Sequence, residues 1–195
     1  NAMTWDDDRK AAAFISSKDP AVLRYSKYVS GIARENMNPG VDMNFQLAMA
    51  LFENLRHLDI NYVVDPVTPY VQLSEQQTSI DYLQFPYQTI AYRGGDCDDL
   101  SILLTAMLES VGIESALITI PGHIFKAFRT GLSPSEASGF FPSPSDFLVA
   151  NGAVWIPVEA TAIQDGFLQA WQKGAAQVLE ASQDYRLIPV PEAWN

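Results

Sequence analysis

Gly94-Gly95-Asp96-Cys97-Asp98-Asp99-Leu100-Ser101-Ile102-Leu103-Leu104-Thr105-Ala106-Met107-Leu108-Glu109-Ser110-Val111-Gly112 is the stretch on which the fold turns. The paired glycines predict a tight turn. Asp96 is a good N-terminal cap, because a carboxylate oxygen there accepts from amides that the first helical turn leaves unpaired. A helix is predicted from Cys97 to Val111, closed by Gly112, which adopts the left-handed conformation that ends helices at little cost. Leu100, Ile102, Leu103, Leu104, Ala106, Met107, Leu108 and Val111 place apolar groups on nearly every side of it. Such a helix is buried centrally, and the rest of the chain must surround it.

Moving toward the C-terminus, Ile113 to Ile120 and His123 to Arg129 read as strands joined by a turn at Pro121-Gly122. Residues 131 to 152 are rich in Ser, Pro and Gly and predict a long irregular segment. Segments of that length inside a compact domain are commonly functional or mobile, so Phe140-Phe141-Pro142 are candidates for a lid or a substrate wall. Ala153 to Ala160 is a further strand, with Pro157 at an edge or bulge. A helix follows over Gln164 to Ala181, then a last strand over Asp184 to Val190.

Moving the other way, residues 59 to 92 carry Pro66, Pro69 and Pro86 and predict an irregular connection. Before it, Asp19-Pro20 opens a helix bearing Val22, Tyr25, Val29 and Ile32, stopped by Asn38-Pro39-Gly40. Asp42 caps a second helix with a Leu47, Leu51, Leu55 and Leu58 stripe. His57 closes that helix, where a basic side chain helps the last carbonyls. Helices, then a buried helix, then strands describe an α+β fold with an antiparallel sheet packed on the central helix. One domain over 1–195 is expected, with 4–60 as an N-terminal helical part and 61–195 as the core.

The 195 residues carry 48% hydrophobic and 18% charged side chains, the balance of an ordinary globular chain. Twelve Lys and Arg against 23 Asp and Glu leave a net charge of -11, a field that repels phosphate backbones. Nucleic acid is therefore not an expected partner. No apolar run is long enough for a membrane span. One cysteine excludes an internal disulfide, and two histidines exclude a histidine-rich metal site. Asn1-Ala2-Met3 reads as the remnant of an added tag before a shortened start. An exported or periplasmic location stays compatible with such a sequence.

Cys97 is the single thiol and stands at a predicted helix N-terminus, where the dipole and free amides favour a thiolate. His123, at the start of a strand, is placed to take its proton. Glu159, on a third element, is placed to hold the imidazole through its other nitrogen. The plain alternatives are a small buried cysteine, a strand-edge histidine bonded to a carbonyl and a solvated glutamate. An acyl-transfer site also needs oxyanion donors. The Cys97 N–H is one, and Gln88, with Tyr87 behind it, is the upstream side-chain candidate. Asp96, Asp98 and Asp99 oppose a nearby thiolate. They cap the helix, or, on the sharper reading, hold calcium, although their spacing lacks an EF-hand loop. Trp155, Phe167 and Trp171 read as core.

Phe85-Pro86-Tyr87-Gln88-Thr89-Ile90 with Arg93-Gly94-Gly95-Asp96-Cys97-Asp98-Asp99-Leu100-Ser101 resembles the nucleophile region of the transglutaminase-like superfamily of cysteine enzymes, in its bacterial cysteine-peptidase type. Gly112-Ile113 matches the same pattern past the long helix. Pro121-Gly122-His123-Ile124-Phe125 resembles the histidine strand of that superfamily, and Trp155-Ile156-Pro157-Val158-Glu159-Ala160-Thr161 its acid strand. The resemblance spans about residues 80 to 165. It implies a papain-like core, with the cysteine on the central helix and the histidine and acid on the sheet. Many relatives carry Asp where this chain has Glu159, and Asp165 is the fallback acid.

The expected activity is thiol-dependent acyl transfer on a peptide or protein substrate. Peptide or amide bonds would be hydrolysed by a Cys97-His123-Glu159 triad through an acyl-thioester, with no cofactor. The alternative is a catalytically inactive module of the same fold that holds a peptide or protein partner.

Overall fold

A computed structural model describes residues 1–64 and 80–194. Its elements follow from local rules. Helix α1 (Pro20–Glu35) starts where Asp19 accepts the Ala21 N–H at 2.8 Å, with proline in the first turn. Helix α2 (Met43–His57) starts where Asp42 accepts the Phe45 N–H at 2.9 Å, and His57 stands in its last turn. Helix α4 (Cys97–Ser110) has Asp96 as its cap, and Gly112 follows at φ +83°.

Five strands form one antiparallel sheet: β5 (Ser115–Ile120), β6 (His123–Arg129), β7 (Leu148–Ala150), β8 (Ala153–Val158) and β9 (Arg186–Pro189), in the order β7-β8-β6-β5-β9. Alternation sorts the side chains. Leu117, Ile124, Phe128, Ile156 and Val158 face one core with α4, and Ala116, Ile118, Phe125, Ala127 and Trp155 form a second cluster behind the sheet. The first core also takes Val22 and Val29 from α1, and Leu51, Phe52 and Leu55 from α2. Each fully buried aliphatic or aromatic side chain there contributes about 1.5–3 kcal/mol. The mixed helix-and-sheet architecture is that of an α+β protein.

Pro157 sits where the sequence expects an edge. Strand β7 pairs β8 only from Ala153 to Trp155, so beyond that point β8 has β6 as its one neighbour. Helix α6 (Phe167–Ala181) crosses there with Gly174, where a Cβ would stand 2.9 Å from the Pro157 carbonyl group.

Five expectations are corrected. Gly94-Gly95 is not a free turn: it is strand β4, parallel to β2 (Asn61–Tyr62). Pro86 does not interrupt order but opens the short helix α3 (Pro86–Tyr92), because proline suits a first helical turn. Residues 131–152 are ordered: a Ser133–Glu136 capping box starts α5 (Pro134–Phe140), a 3-10 turn follows at Pro144–Asp146, and β7 joins the sheet. Phe141 is buried against Phe45, Phe147 and Trp171 and serves the core, whereas Phe140 stays 41% exposed. The first residues also pair, as β1 (Ala2–Thr4) against β3 (Ile80–Tyr82). Within 59–92, Pro66 and Pro69 lie outside the described residues. A last helical turn, α7 (Val190–Ala193), takes over the end of the expected final strand.

Candidate functional site

Cys97 is the first residue of α4 and only 6% exposed. The Ile124 N–H donates to its sulfur, so the thiol rests against the peptide that follows His123. No hydrogen bond links the thiol to the imidazole itself among the described contacts. Burial pushes the Cys97 thiol far above its ordinary range, and the charges of Asp98, Asp96 and Glu159 push it further. The resting group is a protonated thiol.

His123 opens β6, and its Nε2 lies 2.5 Å from Glu159 Oε2. The side chains are 22% and 3% exposed, so the pair is shielded on the acid side and open on the imidazole side. Phe125 stacks on the imidazole at 5.7 Å. Glu159 follows β8 directly and caps a 3-10 segment, Ala160–Asp165. The β6–β8 ladder ends at the pair Lys126 and Val158. The carboxylate must therefore reach past the ladder to His123, and the longer glutamate chain does so. Its other oxygen accepts from the Thr161 N–H at 2.9 Å and hydroxyl at 2.8 Å. Burial pulls the Glu159 carboxyl up, but the His123 hydrogen bond and charge, with the Thr161 donors, outweigh it and hold the group below its ordinary value. A carboxylate so held fixes Nε2 and leaves Nδ1 as the nitrogen for proton exchange. Asp165, the fallback acid, pairs instead with Lys173.

Asp96, Asp98 and Asp99 are all buried, and each offers an oxygen within 4.8 Å of the others. Burial raises Asp98 well above the carboxylate range, and its hydrogen bond to Asp96 adds to this. Burial and the Asp96 charge raise Asp99 to about 7, although Gln84 donates to it from both its backbone and its side chain. An oxygen-only cluster of this kind is the donor set that suits a hard divalent cation such as calcium. Protonation of the group is the other way its charge is relieved.

Gln88 stands in the first turn of α3, where its Oε1 accepts the Phe85 N–H at 2.9 Å and also takes a donor from Asn1. That cap is a use the sequence reading did not assign to it. Tyr62 is a group the sequence reading passed over. It pairs with Gly95, just upstream of Cys97, and burial raises its phenol, with the acidic side chains around Cys97 adding to this. A two-residue strand leaves no periodic signal from which this could have been found.

No family model matches the chain, and no curated protein sequence matches it. Among solved structures it is similar to Legionella pneumophila LapG in an EGTA-treated form, at 17% identity over 84% of this chain and 78% of that one, with a TM-score of 0.30. It is also similar to the calcium-bound form of that protein, at 17% identity over 62% and 67% of the two chains with a TM-score of 0.25. A third LapG structure matches at 13% identity over 78% and 96%, with a TM-score of 0.26.

Proposed function

We propose that the protein is a thiol-dependent acyl-transfer enzyme of the transglutaminase-like, papain-like type, hydrolysing peptide or amide bonds. The observation that carries this reading is the His123–Glu159 pair at 2.5 Å beside a thiol at the head of a buried helix. Cys97 gives its proton to His123 as its sulfur attacks the carbonyl carbon, and Glu159 stabilises the imidazolium that results. His123 returns the proton to the leaving amine, and water resolves the acyl-thioester with His123 as base. Hydrolysis is favoured over crosslinking, because crosslinking requires a second amine site that nothing in the chain announces.

One observation favours a second reading. Burial and the neighbouring aspartates keep the resting thiol protonated, as expected of an inactive module that holds a peptide or protein partner. The pH dependence of Cys97 alkylation by iodoacetamide separates the two. The enzyme reading expects fast alkylation that His123→Ala slows at least tenfold. Slow alkylation that His123→Ala leaves unchanged would favour the binding module. Among the described residues no helix is long and apolar enough to cross a membrane.

A further inference from the structure

Strand β2 lies between the two arms of the site. On one side it runs parallel to β4, with Tyr62 opposite Gly95 and the Val63 N–H bonded to the Gly95 carbonyl at 2.9 Å. On the other side Gln164 Nε2 donates to the Ile60 carbonyl at 3.0 Å and to Asn61 Oδ1 at 3.1 Å, tying β2 to the 3-10 segment that Glu159 caps. Gly94 and Gly95 bring no side chain to this wall, so of the two paired strands β2 is the one that supplies polar side chains to it. Two of the amide side chains nearby already donate elsewhere, Gln84 Nε2 to Asp99 and Asn61 Nδ2 to the Asp59 carbonyl, and Gln88 is held by its Oε1 in the cap of α3. Tyr62 is 45% exposed, and among the described residues its hydroxyl has no hydrogen-bond partner.

We propose that the Tyr62 hydroxyl is the second donor to the oxyanion formed at Cys97, acting with the Cys97 backbone N–H. This rests on the reading of Cys97 as a nucleophile. The Cys97 N–H is among the amides that a helix leaves without an internal partner, and one such donor is seldom enough for a tetrahedral intermediate. Burial pushes the Tyr62 phenol up, and the surrounding negative groups add to this, so it stays a hydroxyl donor at neutral pH. Negative neighbours would be poor company for an oxyanion on their own, which makes a neutral donor on this wall the more necessary.

The test compares two reactions of the one thiol. With p-nitrophenyl acetate, the sulfur attacks the ester carbonyl and its carbon–oxygen double-bond pair moves onto oxygen. The oxyanion then collapses, p-nitrophenolate leaves, the acetyl-thioester remains, and the thiol proton passes to His123. With iodoacetamide, sulfur displaces iodide at a saturated carbon and no oxyanion forms. Tyr62→Phe is expected to slow acetylation about 10²-fold, measured above the Cys97→Ala background, and to leave alkylation at the wild-type rate. Acetylation of Tyr62→Phe at the wild-type rate would overturn the proposal. So would an equal loss in both reactions, which would show that Tyr62 acts on the thiol and not on the oxyanion. A wild-type protein that neither reagent modifies above the Cys97→Ala background would overturn the nucleophile reading and this one together, an outcome distinct from the other two.

Discussion

At Glu159 burial and hydrogen bonding oppose each other, and hydrogen bonding wins. A carboxylate with His123 on one oxygen and two Thr161 donors on the other is worth more charged than neutral, even though it is nearly inaccessible. Glu159→Gln keeps the shape and removes the charge that stabilises an imidazolium. Under the enzyme reading, turnover is expected to fall by about 10²–10⁴-fold while the thiol stays alkylatable. The same substitution has a stability signature. Because the folded pKa lies below the ordinary 4.5, the unfolded chain takes up the proton first as pH falls. The advantage of wild type over Glu159→Gln should therefore hold above that pH and shrink below it, as read from urea midpoints.

The head of α4 concentrates the elements that shape the site. Gly95 is required there by contact: a Cβ on it would stand 2.5 Å from Asp99 Cβ. Gly95→Ala must displace β4 or the Asp99 side chain, and an unfolding free energy lower by about 1–3 kcal/mol is expected, together with altered Cys97 alkylation. Asp99 carries the opposite linkage to Glu159. Its folded pKa is raised from 3.8 to about 7, so the folded protein holds a proton that the unfolded chain has released. Stability should fall as pH rises through that window, and Asp99→Asn should flatten the fall in urea titrations. Helix α2 is fixed at its start by one residue doing two jobs, since Asp42 accepts from the Phe45 N–H and also from the Gly131 N–H at 2.8 Å. Asp42→Ala should destabilise the protein by about 1–2 kcal/mol in denaturant unfolding.

At the scale of the whole molecule, the inner core holds, among the described residues, a charge-capable group whose ammonium has no hydrogen-bond partner. Lys126 is fully buried on the α4 side of β6, its Nζ unbonded and 5.3 Å from the Phe128 ring centroid. Burial pushes its ammonium down to about 7 from 10.5. Between those values the unfolded chain binds a proton that the folded protein does not, so stability should rise with pH across the window. Lys126→Met is expected to remove that rise and to stabilise the protein by about 1–3 kcal/mol at mildly acidic pH, measured by urea unfolding. A retained slope would place the linkage elsewhere.

Residues 94–112 and their flanks were legible because their signals are local. A cap acts on amides two or three residues away, Gly112 and Gly122 need only their own positive φ, and apolar groups on every side mark burial without reference to a partner. The same reasoning placed Cys97, His123 and Glu159 on three separate elements. It could not supply the 2.5 Å contact between two residues 36 positions apart, which depends on strand register and on the reach of a glutamate beyond the ladder. Nor could it place Tyr62 beside Gly95, since a two-residue parallel strand has no pattern of its own. Lys126 hid in the alternation of β6, where a lysine on the inner face reads like any exposed one. Local chemistry thus determined the elements and the candidate nucleophile, base and acid. Packing alone decided which distant side chains face them, because desolvation and long-range pairing exist only once the core has closed.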